Sequence, residues 1–220
     1  MTKQVFSGSS GQVAAGDIIN VGYGPTVVGG SGVAGLDRRE LPGAVTRVKL
    51  RGPVTLEIVQ GDTPECVVSG DDNLVGLVTT ELTDGKLVVG VAGSLVAKLP
   101  LHLKLVASAI DRIKISGAGQ VSYRAIDLPS VRCTLSGAGA ISLSGRVGTF
   151  KARLSGAGTL DASELHATSI KVEASGAGSI YARARDSASI DISGVAKVAI
   201  FGNPAHRSVT SSGIGKVKWC

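Results

Sequence analysis

Apolar and polar residues alternate along most of the chain, and beyond residue 110 the alternation repeats. Six Ser-Gly steps supply the register: Ser116, Ser136, Ser155, Ser175, Ser193 and Ser212. One residue before each serine stand Ile115, Leu135, Leu154, Ala174, Ile192 and Ser211. Three before stand Ile113, Cys133, Ala152, Val172, Ile190 and Val209. Five after come Val121, Ile141, Leu160, Ile180, Val198 and Val217, and seven after come Tyr123, Leu143, Ala162, Ala182, Ile200 and Trp219. The residues between these columns are mostly polar or charged. A period of two on either side of a turn predicts a short strand, a tight corner and a second short strand. The serines are 20, 19, 20, 18 and 19 residues apart, and a fixed short period marks a solenoid. The prediction is an all-β parallel β-helix (β-solenoid) with coils of roughly 19–20 residues. Its inward residues stack as ladders about 4.8 Å apart, and parallel pairing between coils satisfies the backbone.

Four corners read Ser-Gly-Ala-Gly, and two weaker copies follow as Ser193-Gly194-Val195-Ala196 and Ser212-Gly213-Ile214-Gly215. The structural corner residues are Gly117, Gly119, Gly137, Gly139, Gly156, Gly158, Gly176 and Gly178. Glycine is expected there for backbone angles closed to other residues. The serine hydroxyls are expected to bond local backbone or the neighbouring coil. Trp219 falls in an inward column and is expected to plug the end of the solenoid.

Residues 45–110 carry strand signals without the corner motif, as in Val48, Leu50, Val54, Leu56 and Ile58 around Gly52-Pro53. Gly61-Asp62, Gly70-Asp71-Asp72 and Asp84-Gly85 read as turns. This half is expected to form irregular coils leading into the regular repeats of 111–220, with no linker, so 45–220 is one β-solenoid domain. Residues 1–44 hold many glycines and are expected to form an arm or a cap over the first coil. A cap answers a physical need, because the end coils expose unpaired strand edges.

Composition narrows the class. Glycine supplies 31 of 220 residues without falling at every third position, which excludes collagen. With 43% apolar residues, disorder is excluded too. Three unclustered cysteines, Cys66, Cys133 and Cys220, argue against a disulfide framework or a cysteine-rich zinc site. No segment has the length and apolarity of a membrane span. Residues 1–15 show no secretory leader, so the sequence as given predicts the cytoplasm, and a missing leader would instead place the protein in the cell envelope.

The repeated corners, the Asn203-Pro204 turn after Phe201-Gly202, and the order from Gly52-Pro53-Val54 to Gly70-Asp71 and then the serial repeats carry a resemblance. Over roughly residues 45–219 the chain resembles the family called auto-transporter adhesin, head GIN domain. The resemblance implies a right-handed parallel β-helix with an adhesin-like role outside the cytoplasm.

The net charge is +6. Four residues before the corner serines stand Arg112, Arg132, Lys151 and Lys171, with Lys114 and Arg153 beside them. In a solenoid they stack on one outward face, as an anion- or partner-binding ladder. The same cations also serve as a solvated strand face that blocks edge-to-edge pairing, and Glu173 and Asp191 interrupt the neighbouring column. Specific nucleic-acid binding lacks aromatic platforms on this face. Gly213-Ile214-Gly215-Lys216 lacks the spacing of a phosphate loop and reads as the sixth corner. Asp161, Glu164 and His166 are a nearby acid–His grouping, expected to be solvated loop residues with no second cluster in register. His102 and His206 have no evident partner. No catalytic, metal or cofactor residue is assigned. The reading that results is a non-enzymatic scaffold or adhesin-like module displaying a repeated surface to a protein or glycan. The alternatives are a self-assembling cytoplasmic polymer stacked end to end like bactofilin-type solenoids, and a glycan-active β-helix enzyme.

Overall fold

The structure is a computed structural model that describes residues 27–220 throughout and, before them, the backbone of Val5–Phe6 and Ile18–Ile19. The strands are β1 (Val5–Phe6), β2 (Ile18–Ile19), β3 (Val27–Gly29), β4 (Ala34–Arg39), β5 (Arg47–Leu50), β6 (Thr55–Gln60) and β7 (Glu65–Asp71). A four-residue helix α1 (Asp72–Val75) precedes β8 (Val78–Thr83), β9 (Lys86–Val91), β10 (Ser94–Val96), β11 (His102–Ala107) and β12 (Arg112–Ile115). Then come β13 (Gln120–Leu135), β14 (Ala140–Leu154), β15 (Thr159–Ala174), β16 (Ser179–Ile192), β17 (Lys197–Phe201), β18 (His206–Ser211) and β19 (Lys216–Trp219).

The protein is an all-β solenoid of stacked parallel coils. Each of β13 to β16 runs most of the way round one coil and pairs in parallel with the next. Leu135 lies on Ile115, Leu154 on Leu135, Ala174 on Leu154 and Ile192 on Ala174. A second file runs Leu56, Val121, Ile141, Leu160, Ile180 and Val198. A third, Val131, Phe150, Ile170 and Ala188, fills the remaining edge of the core. All of these side chains are buried in one continuous cluster that extends into residues 45–110.

The irregular half is built differently at its outer edge. Strand β12 continues the stack onto β5 and then β9 in parallel, and the first part of β13 stacks on β6, which pairs β11. Beyond them the pairing turns antiparallel, β9 with β8 on one side and β11 with β7 and β7 with β4 on the other. Of these pairs only β8 and β9 are joined by a short hairpin, whereas β7 meets β4 and β11 across intervening strands, so the chain does not make equal laps there and the corner motif does not recur.

The corner glycines differ from expectation in their reason. None of the eight has a positive φ; the positive-φ glycines include Gly52, Gly145 and Gly202 instead. What demands glycine is the coil beneath. A Cβ on Gly137, Gly156 or Gly176 would be driven into the carbonyl oxygen of Gly117, Gly137 or Gly156 respectively. Those same carbonyls accept hydrogen bonds from the next coil, Ala138 N–H to Gly117 at 3.2 Å and Ala157 N–H to Gly137 at 3.1 Å. The serines reach across coils as well: the Ser136 hydroxyl donates to the Ile115 carbonyl at 3.1 Å.

Two other expectations need correcting. Gly70-Asp71-Asp72 is no solvent turn. Gly70 and Asp71 end β7, and the fully buried Asp71 carboxylate accepts from the backbone N–H groups of Gly32 (2.6 Å), Lys98 (2.9 Å) and Leu99 (3.0 Å). The end of the solenoid is closed only in part, with Val217 and Trp219 packed against the core and the column of Val209 left open. Every residue of β18 is exposed, including Val209, because no coil lies beyond it among the described residues. Trp219 is half-buried, and the Arg207 guanidinium sits 4.6 Å from its ring centroid.

Within the segment read as arm or cap, β3 pairs in parallel with β10 and β4 antiparallel with β7. The buried Arg39 pairs with Asp37 at 2.9 Å and donates to the Thr80 hydroxyl (3.1 Å) and the Val75 carbonyl (2.9 Å). Apart from the backbone of β1 and β2, residues 1–26 lie outside the described residues.

Candidate functional site

The strand register assembles the predicted basic ladder and lengthens it. Arg112 pairs with Arg132, Arg132 with Lys151 and Lys151 with Lys171. On the other side Arg112 pairs with Arg47, and Arg47 with Lys86. Six cations therefore stand in one file, about 24 Å long at the usual strand spacing of about 4.8 Å. Two residues along, an adjacent file runs Lys49, Lys114, Thr134, Arg153, Glu173 and Asp191. Sequence reasoning missed Lys86, Arg47 and Lys49 because their strands lack the Ser-Gly corner. The signal was present: Arg47-Val48-Lys49-Leu50 has the same pattern as Arg112-Ile113-Lys114-Ile115.

Backbone pairing fixes these charges side by side, since each alternate residue must point outward while Val48, Ile113, Cys133 and Val172 point in. Among the described residues, Arg112, Lys114, Arg132 and Lys151 have no ion-pair partner. Burial, then the charges of Arg51, Lys114 and Lys86, hold the Lys49 ammonium below the ordinary lysine value. At the far end the field is neutralised. Glu173 accepts from Arg153 Nε at 2.8 Å and lies 3.1 Å from Lys171 Nζ, and these hydrogen bonds hold its carboxyl below the usual range.

Shallow furrows flank the ladder. One of about 270 Å³ is lined by Arg132, Thr134, Lys151, Arg153, Lys171 and Glu173. The other, about 210 Å³, is lined by Asp111, Arg112, Ser130, Val131, Arg132, Thr149 and Lys151, so one carboxylate stands at its edge. Arg132 and Lys151 border both. The face beyond the Ser-Gly corner contrasts with this: its file runs Gln120, Ala140, Thr159 and Ser179 before reaching Lys197 and Lys216. That file is thus uncharged over its first four coils, where the basic ladder is densest.

The acid–His grouping does not converge. Asp161 accepts from the Ser163 N–H (3.0 Å) and hydroxyl (2.6 Å), capping a local bend. No group of three or more His, Cys, Asp or Glu side chains among the described residues could hold a metal ion. His166 does have charged neighbours in register, contrary to expectation, in the file Asp127, Arg146, His166 and Arg183. They border an open groove of about 970 Å³ whose floor is Val147, Ala167 and Ala184. Two of its three arginines are engaged, Arg183 with the Ser163 carbonyl at 2.8 Å and Arg185 with Asp186. His102 lies 3.9 Å from Glu57, and His206 stands on the exposed β18. Gly213 packs on the Gly194 carbonyl as a sixth corner.

A sequence profile matches residues 44–204, that of "Putative auto-transporter adhesin, head GIN domain". The chain belongs to this family. Among solved structures, a "putative adhesin" from Bacteroides fragilis NCTC 9343 superposes with a TM-score of 0.73 at 16% identity, covering 88% of this chain and 100% of that one. A "putative lipid binding protein" from Parabacteroides distasonis ATCC 8503 gives a TM-score of 0.53 at 18% identity, covering 88% and 99%. At such identities the likeness is one of fold. No curated protein matches the sequence.

Proposed function

We propose that this head GIN domain protein is a non-enzymatic, adhesin-like binding module that holds an anionic partner against its basic face. The observation that supports this most is the unbroken file from Lys86 to Lys171, in which Arg112, Arg132 and Lys151, with Lys114 in the adjacent file, lack an ion-pair partner among the described residues. Like charges held a few ångströms apart repel one another, so an anion that bridges them gains energy from several at once. A solenoid suits this role because its hydrogen-bonded coils fix the spacing before the partner arrives, which lowers the ordering cost of binding. Family membership favours work at the cell envelope over the cytoplasm, and no described helix is long and apolar enough to cross a membrane.

Adsorption of the purified chain to anionic and neutral surfaces tests this reading. The chain should bind the anionic surface, weaken steeply with added salt, and lose about tenfold or more in the double variant Arg112→Glu, Arg132→Glu. Equal binding to both surfaces, or an unaffected double variant that melts like the parent, would overturn it.

A further inference from the structure

A third file runs beside the cations. Ser130 pairs with Thr149, Thr149 with Ser169 and Ser169 with Ser187, each two residues before the cation or serine of its own coil. The Ser187 hydroxyl donates to the Ser169 hydroxyl at 2.9 Å, so the file is continuous at that end. Three parallel outward files result: hydroxyls, then Arg112, Arg132, Lys151 and Lys171, then Lys114, Thr134, Arg153 and Glu173. Neighbouring files are about 7 Å apart, the two-residue repeat of a strand. The furrows run between them, bordered by Ser130 and Thr149 on one side and Thr134 on the other.

We infer that the ligand of the basic face is a linear acidic polysaccharide lying along the solenoid axis, and this rests on the reading above. Its acid groups meet the central cations and its hydroxyls meet the flanking Ser and Thr. Shape and composition select this occupant. A ladder one or two side chains wide and about 24 Å long suits an extended chain crossing the coils at right angles. A single-stranded nucleic acid is gripped by stacking its bases on aromatic platforms, and none stands in the three files. A membrane-docking face combines cations with apolar side chains that enter the bilayer boundary, and none of the twelve outward residues named above is apolar. Hydroxyls beside cations match a ligand whose repeating unit carries both acid and alcohol groups. Direction follows too: Glu173 and Asp191 end the attractive stretch, so the ligand covers the Lys86 end.

The test uses the full chain with oligogalacturonates of graded length, and with neutral maltooligosaccharides as controls. Affinity should climb with length until the oligomer spans about 24 Å, then level off, with little binding of the neutral series. Lys151→Glu should weaken the long oligomers about tenfold or more, whereas Lys197→Glu, on another face, should change them less than about twofold. Thr149→Val, which keeps the charge, should weaken them about threefold. Melting curves of the variants separate lost contacts from lost folding. Flat length dependence, equal binding of the neutral series, or equal loss in Lys197→Glu would overturn the inference. Vesicles of one part anionic to one part zwitterionic phospholipid are the other arm. If they capture the chain through Lys151 while oligogalacturonates do not, the polysaccharide falls and the anion-binding face stands. If Lys151→Glu changes neither, both fall.

Discussion

Gly156 lies directly on Gly137. A Cβ at 156 would enter the Gly137 carbonyl oxygen, and that oxygen is held in place by its hydrogen bond from Ala157 N–H. The neighbour that must give way is backbone, paired in turn to the coil below, so the stack cannot relax locally. Gly156→Ala is therefore expected to destabilise the protein at the upper end of the ~1–3 kcal/mol typical of overpacking, or beyond it. In a chain of this size that is a drop in melting temperature of about 6–12 °C. Gly76→Ala meets nothing within 4 Å and serves as the control. A melting curve for Gly156→Ala that overlies the parent would contradict the contact.

Asp71 anchors the other half. Burial pushes its carboxyl up, but the N–H groups of Leu99, Gly32 and Lys98, with the Lys98 charge, outweigh burial and leave it below the ordinary carboxylate value. The stabilisation is therefore present above the unfolded value of about 3.9 and is lost as pH falls through the folded pKa. Asp71→Ala leaves three N–H groups without their partner and should cost roughly 2–4 kcal/mol. The loss should centre on the segment near Gly32 and on Lys98 and Leu99. Hydrogen exchange that speeds up there while β14 and β15 stay protected is the expected signature. Uniform exchange in both halves would mean that Asp71 does not hold this segment.

The regular repeats could be read from sequence because each coil states the same alternation and corner, so inward residues such as Leu135 and Leu154 identify themselves by period. Residues 45–110 state no period. Whether Asp71 faces water or a cage of N–H groups depends on Gly32 and Lys98, which are distant in sequence, and local turn chemistry pointed the wrong way. The basic ladder was half legible for the same reason. Arg112 to Lys171 share one repeat phase, whereas Arg47 and Lys86 join the file only through pairings between β12, β5 and β9. The groove beside His166 was hidden because the coils bulge between Ala162 and His166, which breaks simple counting from the serine. The corner glycines were located correctly but explained by torsion, since contact with another coil is invisible in a single repeat.

The cysteines give a simple check on the core. Cys133 lies inside the stack and burial pushes its thiol up. Burial also raises Cys66, to about 11, with Arg39 opposing and Asp37 adding to the shift. Both stay neutral and shielded at about pH 8, whereas Cys220 is exposed. A thiol-reactive dye should label one cysteine in the native chain and all three after denaturation. Rapid labelling of Cys133 in the native state would mean that the coils open.

Glu173 sets the functional limit of the basic face, and removing its charge should show this. It pairs with Arg153 and Lys171, both largely exposed, so the pairs themselves add little stability. Glu173→Gln should leave the melting temperature within about 2 °C of the parent. It should also free two cations next to Lys151 and strengthen binding of anionic ligands severalfold at low salt, with a steeper salt dependence. The parent should approach this behaviour as pH falls, because protonation removes the same charge. Since the carboxyl is held below its ordinary value, that gain begins only under the usual carboxylate range. Titrations of parent and variant with a sulfated probe, whose charge persists in acid, should thus converge as pH falls. Unchanged affinity in Glu173→Gln at neutral pH would place the bound anion away from the Lys171 end of this face.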